Sequence, residues 1–152
     1  MKRITITLVS IVALATSAFA TTATMTLDDN HPITVDELPH QAKAFITKNF
    51  ANDQMTLITQ DKEVIGNEYK VRLSSGTEIE FDSKGEWTEV ETIQGEVPSH
   101  LVPNKIAGYV AKNYPNSHIK ELKREARGWE VRLSTGIELE FNSHLRIVEI
   151  DD

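Results

Sequence analysis

The chain has 152 residues, of which 16 are basic, 23 are acidic and none is cysteine, and its formal net charge is −7. The lack of cysteine excludes disulfide bonds, a thiol nucleophile and a lipid-modified N-terminal cysteine. The acidic balance argues against nucleic acid and anionic membrane surfaces as partners, because both require clustered lysine and arginine.

The first 20 residues have the composition of a secretion signal. Lys2 and Arg3 form a basic start, residues 4–19 are apolar or small, and Ala18-Phe19-Ala20 has the small-x-small form of a cleavage site. We expect cleavage after Ala20, a periplasmic or secreted mature protein, and no membrane insertion once the signal is removed. The remaining 132 residues include 14 basic and 23 acidic ones, which gives a net charge of −9.

Residues 21–37 are polar with scattered apolar positions, and we interpret them as a flexible leader. Asp28, Asp29 and His31 have side chains that can bind metals. Three ligands packed side by side near a terminus nevertheless lack a second arm to close a coordination sphere. We therefore expect a solvated tail here, and we expect neither a metal site nor a cofactor in the protein.

Helical spacing of apolar residues occurs at Pro39–Phe50 and again at Pro103–Tyr114, which predicts two amphipathic helices. The apolar stripe consists of Ala42, Phe45, Ile46 and Phe50 in the first helix, and of Ile106, Tyr109, Val110 and Tyr114 in the second. An extended segment is predicted after each helix, at residues 55–63 and 118–126. Four extra residues around Val64–Asn67 predict a longer turn in the first copy.

The stretch Tyr69–Phe81 alternates apolar and charged residues in two arms and predicts a β-hairpin. A two-residue turn would oppose Leu73 to Glu78 and bury a charge, because opposed residues in an antiparallel pair share a face. A three-residue loop ending at Gly76 avoids this and gives the glycine a left-handed backbone. The predicted pairs are then Leu73–Thr77, Val71–Ile79, Tyr69–Phe81, Arg72–Glu78 and Lys70–Glu80.

The chain contains this hairpin a second time. Residues 69–91 laid on residues 129–151 without a gap are identical at 10 of 23 positions, far above chance, so the protein consists of two copies of one unit. Gly136 is the equivalent of Gly76 in the second copy. The predicted pairs there are Leu133–Ile137, Val131–Leu139, Trp129–Phe141, Arg132–Glu138 and Glu130–Glu140.

A fourth strand is predicted after each hairpin, at Glu86–Thr92 and Leu145–Ile150. Which face of this strand is buried cannot be assigned from the sequence, because Trp87 and Val90 cannot both follow one alternation. Residues 94–98 link the copies, and residues 99–102 predict a short helical turn. The copies then span residues 38–93 and 94–152, and we expect them to share an interface, because a unit of about 50 residues is marginally stable by itself.

These features resemble the secreted PepSY-like family of Bacteroidetes-type bacteria, also called β-lactamase-inhibitor-like proteins. The resemblance covers roughly Leu38–Asp151. It is carried by Val102, Pro103, Ile106, Tyr109, Val110, Asn113, Tyr114, Pro115, Ile119, Gly128, Trp129, Glu130, Val131, Leu133, Gly136, Leu139 and Phe141, and by Phe81 to Gly85. It implies an α+β fold of two tandem repeats, each a helix followed by four antiparallel strands, with the sheets side by side and the helices on one face. It implies no catalytic residues.

The charged face of the sheet is the predicted binding surface. Its residues are Lys70, Arg72, Glu78 and Glu80 in the first copy and Glu130, Arg132, Glu138 and Glu140 in the second. We expect a non-enzymatic module that binds a periplasmic or extracellular protein or peptide through this face and its turns, with an inhibitor-like role among the options. Cation binding or envelope sensing by the acidic surface is the alternative, and hydrolysis is the least favoured function, since no hydrolase motif is present.

Overall fold

The computed structural model describes residues 31–63 and 66–152. Within these ranges the fold is α+β, with two helices and one antiparallel sheet in which nine strands follow their order in the chain. The helices are α1 (His40–Asn49) and α2 (Asn104–Asn113). The strands are β1 (His31–Pro32), β2 (Met55–Glu63), β3 (Gly66–Leu73), β4 (Thr77–Phe81), β5 (Trp87–Thr92), β6 (Ile119–Glu125), β7 (Gly128–Leu133), β8 (Glu138–Asn142) and β9 (Ile147–Asp151).

Both hairpins have the register predicted from the sequence. Val71 lies opposite Ile79 in β3 and β4, and Val131 lies opposite Leu139 in β7 and β8. The backbone of each loop closes through a hydrogen bond from the glycine amide to the carbonyl oxygen three residues earlier. Gly76 has φ +82° and Gly136 has φ +92°, so both adopt the left-handed conformation that a three-residue loop requires.

One row of apolar side chains crosses the sheet from β2 to β8 and forms the centre of the core. The register opposes each member to the next, so all of them share a face. The row consists of Ile58, Val71, Ile79, Val90, Leu122, Val131 and Leu139, all buried. Phe45 of α1 packs edge-on against Phe81, and Tyr109 of α2 packs edge-on against Phe141. Both helices therefore cover this face and leave the opposite face open.

The two halves of the chain form one continuous sheet rather than two sheets side by side, because β5 pairs with β6. Trp87 of β5 and Trp129 of β7 approach each other on the helical side, with 6.0 Å between their ring centroids. The guanidinium of Arg124 lies 5.1 Å from the first ring and 5.9 Å from the second. A cation held against two indoles stabilises this junction beyond the apolar area that it buries.

Two sequence predictions about the first half of the chain need correction. Residues 31–37 of the supposed flexible leader form β1 and a 3-10 turn at Val35–Glu37, and the amide of Ile33 donates to the carbonyl of Ile58. The extra residues of the first copy lengthen the hairpin rather than the turn, because β2 and β3 remain paired out to Glu63 and Gly66. The predicted signal at residues 1–20 and the rest of the leader lie outside the described residues.

A β-bulge explains how Trp87 and Val90 of β5, the fourth strand predicted for the first copy, can both face the core. The register shifts between Glu80 and Phe81, so Trp87 lies opposite Phe81 while Val90 lies opposite Ile79, and both side chains reach the core. The turn before β9 lacks the glycine of the first copy. Leu145 nevertheless adopts φ +59°, and the Asn142 side chain accepts hydrogen bonds from the amides of residues 144 and 146.

The short helical turn predicted before α2 is a 3-10 turn at Ser99–Leu101. Within the described ranges, neither helix is long and apolar enough to cross a membrane.

Candidate functional site: the charged face of the sheet

The face opposite the helices carries two rows of charged side chains. On β3 to β8 they come from the residues directly before and after the members of the central apolar row, which point to the other face. Strand alternation points these side chains away from the core, and the cross-strand register aligns them from β3 to β9. We call this surface the open face. It is defined by Lys70, Glu80, Glu89, Lys123, Glu130, Glu140 and Glu149 in one row and by Arg72, Glu78, Glu91, Glu121, Arg132, Glu138 and Asp151 in the other.

The fourteen residues of the open face comprise ten acids and four bases. All eight binding residues predicted from the sequence belong to it. The other six are Glu89, Glu91, Glu121, Lys123, Glu149 and Asp151. These six lie on β5, β6 and β9, the strands whose faces or partners the sequence left open, although their alternation with Val90, Leu122 and Ile150 was a usable signal.

In the first hairpin the charges pair as predicted. The Nε atom of Arg72 donates to Glu78 Oε1 over 2.8 Å, and the Nζ atom of Lys70 lies 2.7 Å from Glu80 Oε1. The hydrogen bond and the charge of Glu80 outweigh desolvation and raise the pKa of Lys70. Arg72 keeps 52% of its side chain exposed, so its guanidinium is accessible to a partner.

In the second hairpin the predicted Arg132–Glu138 ion pair does not form, although the two residues lie opposite each other in the register. The guanidinium of Arg132 turns the other way, toward β6 and β5. It donates from Nε to Glu121 over 2.7 Å and from Nη2 to Glu91 over 2.5 Å. The side chain is only 31% exposed. Glu91 and Glu121 oppose each other directly, so they supply the stronger negative potential, and the arginine bridges them.

Acids without ion pairs are concentrated at one end of the open face. On β3 to β6 every open-face acid has a basic group within 4.0 Å. On β7 to β9 no ion pair to an open-face acid occurs within the part of the chain that the structure describes. We call these five residues the acidic end: Glu130, Glu138, Glu140, Glu149 and Asp151. Burial raises the pKa of Glu130, and nearby acids reinforce the effect against the opposing charge of Lys123.

Among the acids of the open face, Glu89 has the largest shift in pKa. Desolvation, followed by the charges of Glu80 and Glu121, raises its pKa from 4.5 to about 7, and Lys123 and Lys70 only partly compensate. The Nζ atom of Lys123 lies 3.9 Å from the Glu89 carboxylate and 3.5 Å from that of Glu125, so the lysine is shared. Near neutral pH, this half-buried carboxyl group therefore exchanges between its protonated and ionised forms.

Three acids could in principle surround a cation. One carboxylate oxygen from each of Glu89, Glu91 and Glu121 lies within 4.8 Å of the others, and all three residues are half-buried. Hard cations such as Ca²⁺ prefer carboxylate oxygens. Arg132 already occupies part of this space by bonding Glu91 and Glu121, so a metal ion would compete with the guanidinium.

Comparison with known proteins identifies relatives of the same architecture. The family model described as "Putative beta-lactamase-inhibitor-like, PepSY-like" matches residues 23–74 and 67–149. No protein of curated function matches the chain in sequence.

Two similar solved structures come from the genus Bacteroides. A "putative calcium-regulated periplasmic protein" from Bacteroides thetaiotaomicron is 33% identical, covers 82% of this chain and 98% of its own, and superimposes with a TM-score of 0.78. A "putative periplasmic protein" from Bacteroides vulgatus is 35% identical, covers 83% of this chain and 99% of its own, and also gives a TM-score of 0.78.

Proposed function

Because the chain belongs to the β-lactamase-inhibitor-like, PepSY-like family, we propose that it is a non-enzymatic periplasmic or secreted module that binds a basic protein segment or peptide on its open face. The observation that carries the proposal is the acidic end, where five carboxylates on three adjacent strands lack ion-pair partners among the described residues. Clustered like charges disfavour the isolated fold slightly. A partner that supplies lysine or arginine removes this repulsion on binding.

The position of the acids fits a protein partner. Complementary charge accelerates encounter and selects the partner, whereas affinity depends more on the groups that become desolvated. The accessible Arg72 adds a planar guanidinium whose donors can bond carboxylates or backbone carbonyls of the partner. The open face thus combines a basic-segment site on β7 to β9 with polar donors on the rest of the sheet.

The repeat provides a matched pair of variants to test this proposal. Glu138→Gln with Glu140→Gln removes two charges from the acidic end, whereas Glu78→Gln with Glu80→Gln removes the equivalent charges from the first hairpin. The mature protein and both variants serve as bait for pull-down from a periplasmic extract, with captured proteins identified by mass spectrometry. Binding of each captured protein is then measured at low and high salt.

We expect the acidic-end variant to lose partners that the first-hairpin variant retains, and we expect added salt to weaken their binding to the unaltered protein. Equal capture by both variants would contradict a binding site at the acidic end. Partners without basic segments would contradict the proposed chemistry.

Cation binding is a second candidate because Glu89, Glu91 and Glu121 come together and because a similar structure is described as calcium-regulated. Calorimetric titration of Ca²⁺ into chelator-treated mature protein tests it. Heat of binding that disappears in Glu89→Gln would favour this candidate. The bridging position of Arg132 makes the peptide-binding proposal the preferred one.

A further inference from the structure

Strand β9 ends the sheet with an exposed apolar edge. Among the described residues no strand lies beyond β9, and Val148 and Ile150 are 60% and 49% exposed. Ile150 is the repeat counterpart of Val90, which is 0% exposed. The difference has a simple cause, because β6 lies beside β5 and covers Val90, whereas nothing described covers Ile150. Unpaired backbone groups on such an edge can accept a further strand.

The chain itself shows which kind of strand this edge accepts. In the β5–β6 pair, Lys123 lies opposite Glu89 and Leu122 lies opposite Val90. The ungapped repeat alignment places Glu149 and Ile150 of β9 at the positions of Glu89 and Val90. An antiparallel strand with an apolar residue followed on its opposite face by a basic one therefore complements β9 as β6 complements β5.

A second copy of the chain fits this edge poorly. In the antiparallel register that pairs all of β9 with another β9, Glu149 meets Glu149, and in the register shifted two residues toward the C-terminus it meets Asp151, so both set like charges against each other. Head-to-tail pairing of β9 with β2 of another copy is obstructed by β1, because His31 and Pro32 already pair with Gln60 and Thr59 of β2. Proline lacks the amide donor that an added strand would need.

We propose that β9 accepts an extended peptide strand from a partner protein, antiparallel to β9, with a lysine or arginine opposite Glu149 and an apolar residue opposite Ile150. Backbone hydrogen bonds supply affinity, and the two side chains supply selectivity. Glu149 also belongs to the acidic end, but the unpaired backbone edge of β9 is not part of the open face, so amide protection at residues 147–151 distinguishes strand addition from binding on the open face.

A peptide derived from β6 provides the probe. It has the sequence of residues 118–126 with Glu121→Lys, because Glu121 meets Glu91 in the protein only with Arg132 between them, and a single strand brings no such arginine. A scrambled peptide of the same composition controls for net charge. Fluorescence anisotropy gives the Kd of each peptide with the mature protein, and amide hydrogen exchange locates the bound strand.

A charge-swap experiment tests the register. Glu149→Lys in the protein should weaken binding of the probe by about three- to tenfold, and Lys123→Glu in the probe should recover it. Glu86→Lys makes the same change in net charge at an exposed residue before β5, so it should weaken binding less and show no recovery. Amide protection on binding should appear at residues 147–151.

Four results would each overturn the proposal. These results are no binding at millimolar probe, equal binding of the scrambled peptide, equal effects of the two protein variants, or protection confined to other strands. Dimerisation through β9 in the absence of peptide would assign the edge to a second copy.

Discussion

Arg132 on β7 bonds Glu91 on β5, with 2.5 Å between Nη2 and Oε1, and thereby joins the two repeats across the intervening strand. The equivalent arginine of the first repeat, Arg72, makes its ion pair within its own hairpin. The same residue thus has two roles. Arg72 stays about half exposed beside one acid of its own hairpin, whereas Arg132 neutralises two opposed acids at the junction.

The two arginines should differ in their effect on stability. Arg72→Ala should lower the free energy of unfolding by less than about 1 kcal/mol, as for other exposed ion pairs. Arg132→Ala should cost more, about 1–3 kcal/mol, because it leaves Glu91 and Glu121 opposed without a cation. Urea unfolding at pH 7.5 measures both values. Adding Glu121→Gln to Arg132→Ala should recover part of the loss, and equal losses for the two arginines would contradict a junction role.

The loop glycines should resist substitution for a backbone reason. Gly76→Val and Gly136→Val should each lower stability by about 1 kcal/mol or more, since a β-branched residue disfavours positive φ. Steric exclusion is not the cause, because a Cβ atom has open space at Gly136 and only ordinary contacts at Gly76.

Gly108 in α2 also has open space and lacks positive φ, so Gly108→Val should change the melting temperature little. If all three valine variants melted alike, the strain at the loops would be negligible.

The first repeat should not fold stably by itself. Truncation after Gln94 removes β6, so Val90 loses Leu122, and Trp87 loses both Arg124 and Trp129. A unit of this size buries too little surface to compensate. Circular dichroism during heating of the truncated chain should show no cooperative transition. A sharp transition would establish the repeats as independent folding units.

Glu89 should make stability depend on pH. The folded chain holds this proton more tightly than the unfolded chain, since the pKa rises from 4.5 to about 7 on folding. The contribution of this group to stability therefore decreases as the pH rises through that interval. Glu89→Gln should stabilise the protein above pH 7, by at most about 3 kcal/mol, and the gain should shrink toward pH 4.5.

Urea unfolding between pH 4.5 and 8 measures the effect of Glu89→Gln. Glu149→Gln removes the repeat counterpart, an exposed carboxylate on β9, and serves as the control. A gain that does not vary with pH would contradict the assigned cause.

The hairpins could be predicted because each arm alternates strictly and because one register alone kept Glu78 off the core face. The pairing of β5 with β6 could not, since α2 separates these strands in the chain and an extra residue, Thr88, opposite the step from Glu80 to Phe81 breaks the alternation around Trp87. The acids of β5 and β6 were missed for the same reason.

The ion pair of Arg132 also required the structure. Cross-strand register offers Glu138 on one side and Glu121 on the other, and the choice depends on which side carries the stronger negative potential. Glu91, two strands away, decides this choice, and a single hairpin contains no information about it.

The packing of Trp87 against Trp129 gives the protein an internal optical reporter. These are the two tryptophans of the chain, and they belong to different repeats. Separation of the repeats would take Trp87 away from both Trp129 and the guanidinium of Arg124. We therefore expect tryptophan fluorescence to change when the junction opens, while far-ultraviolet dichroism follows the strands themselves. A difference between the two signals during unfolding would reveal opening of the junction before the sheet is lost.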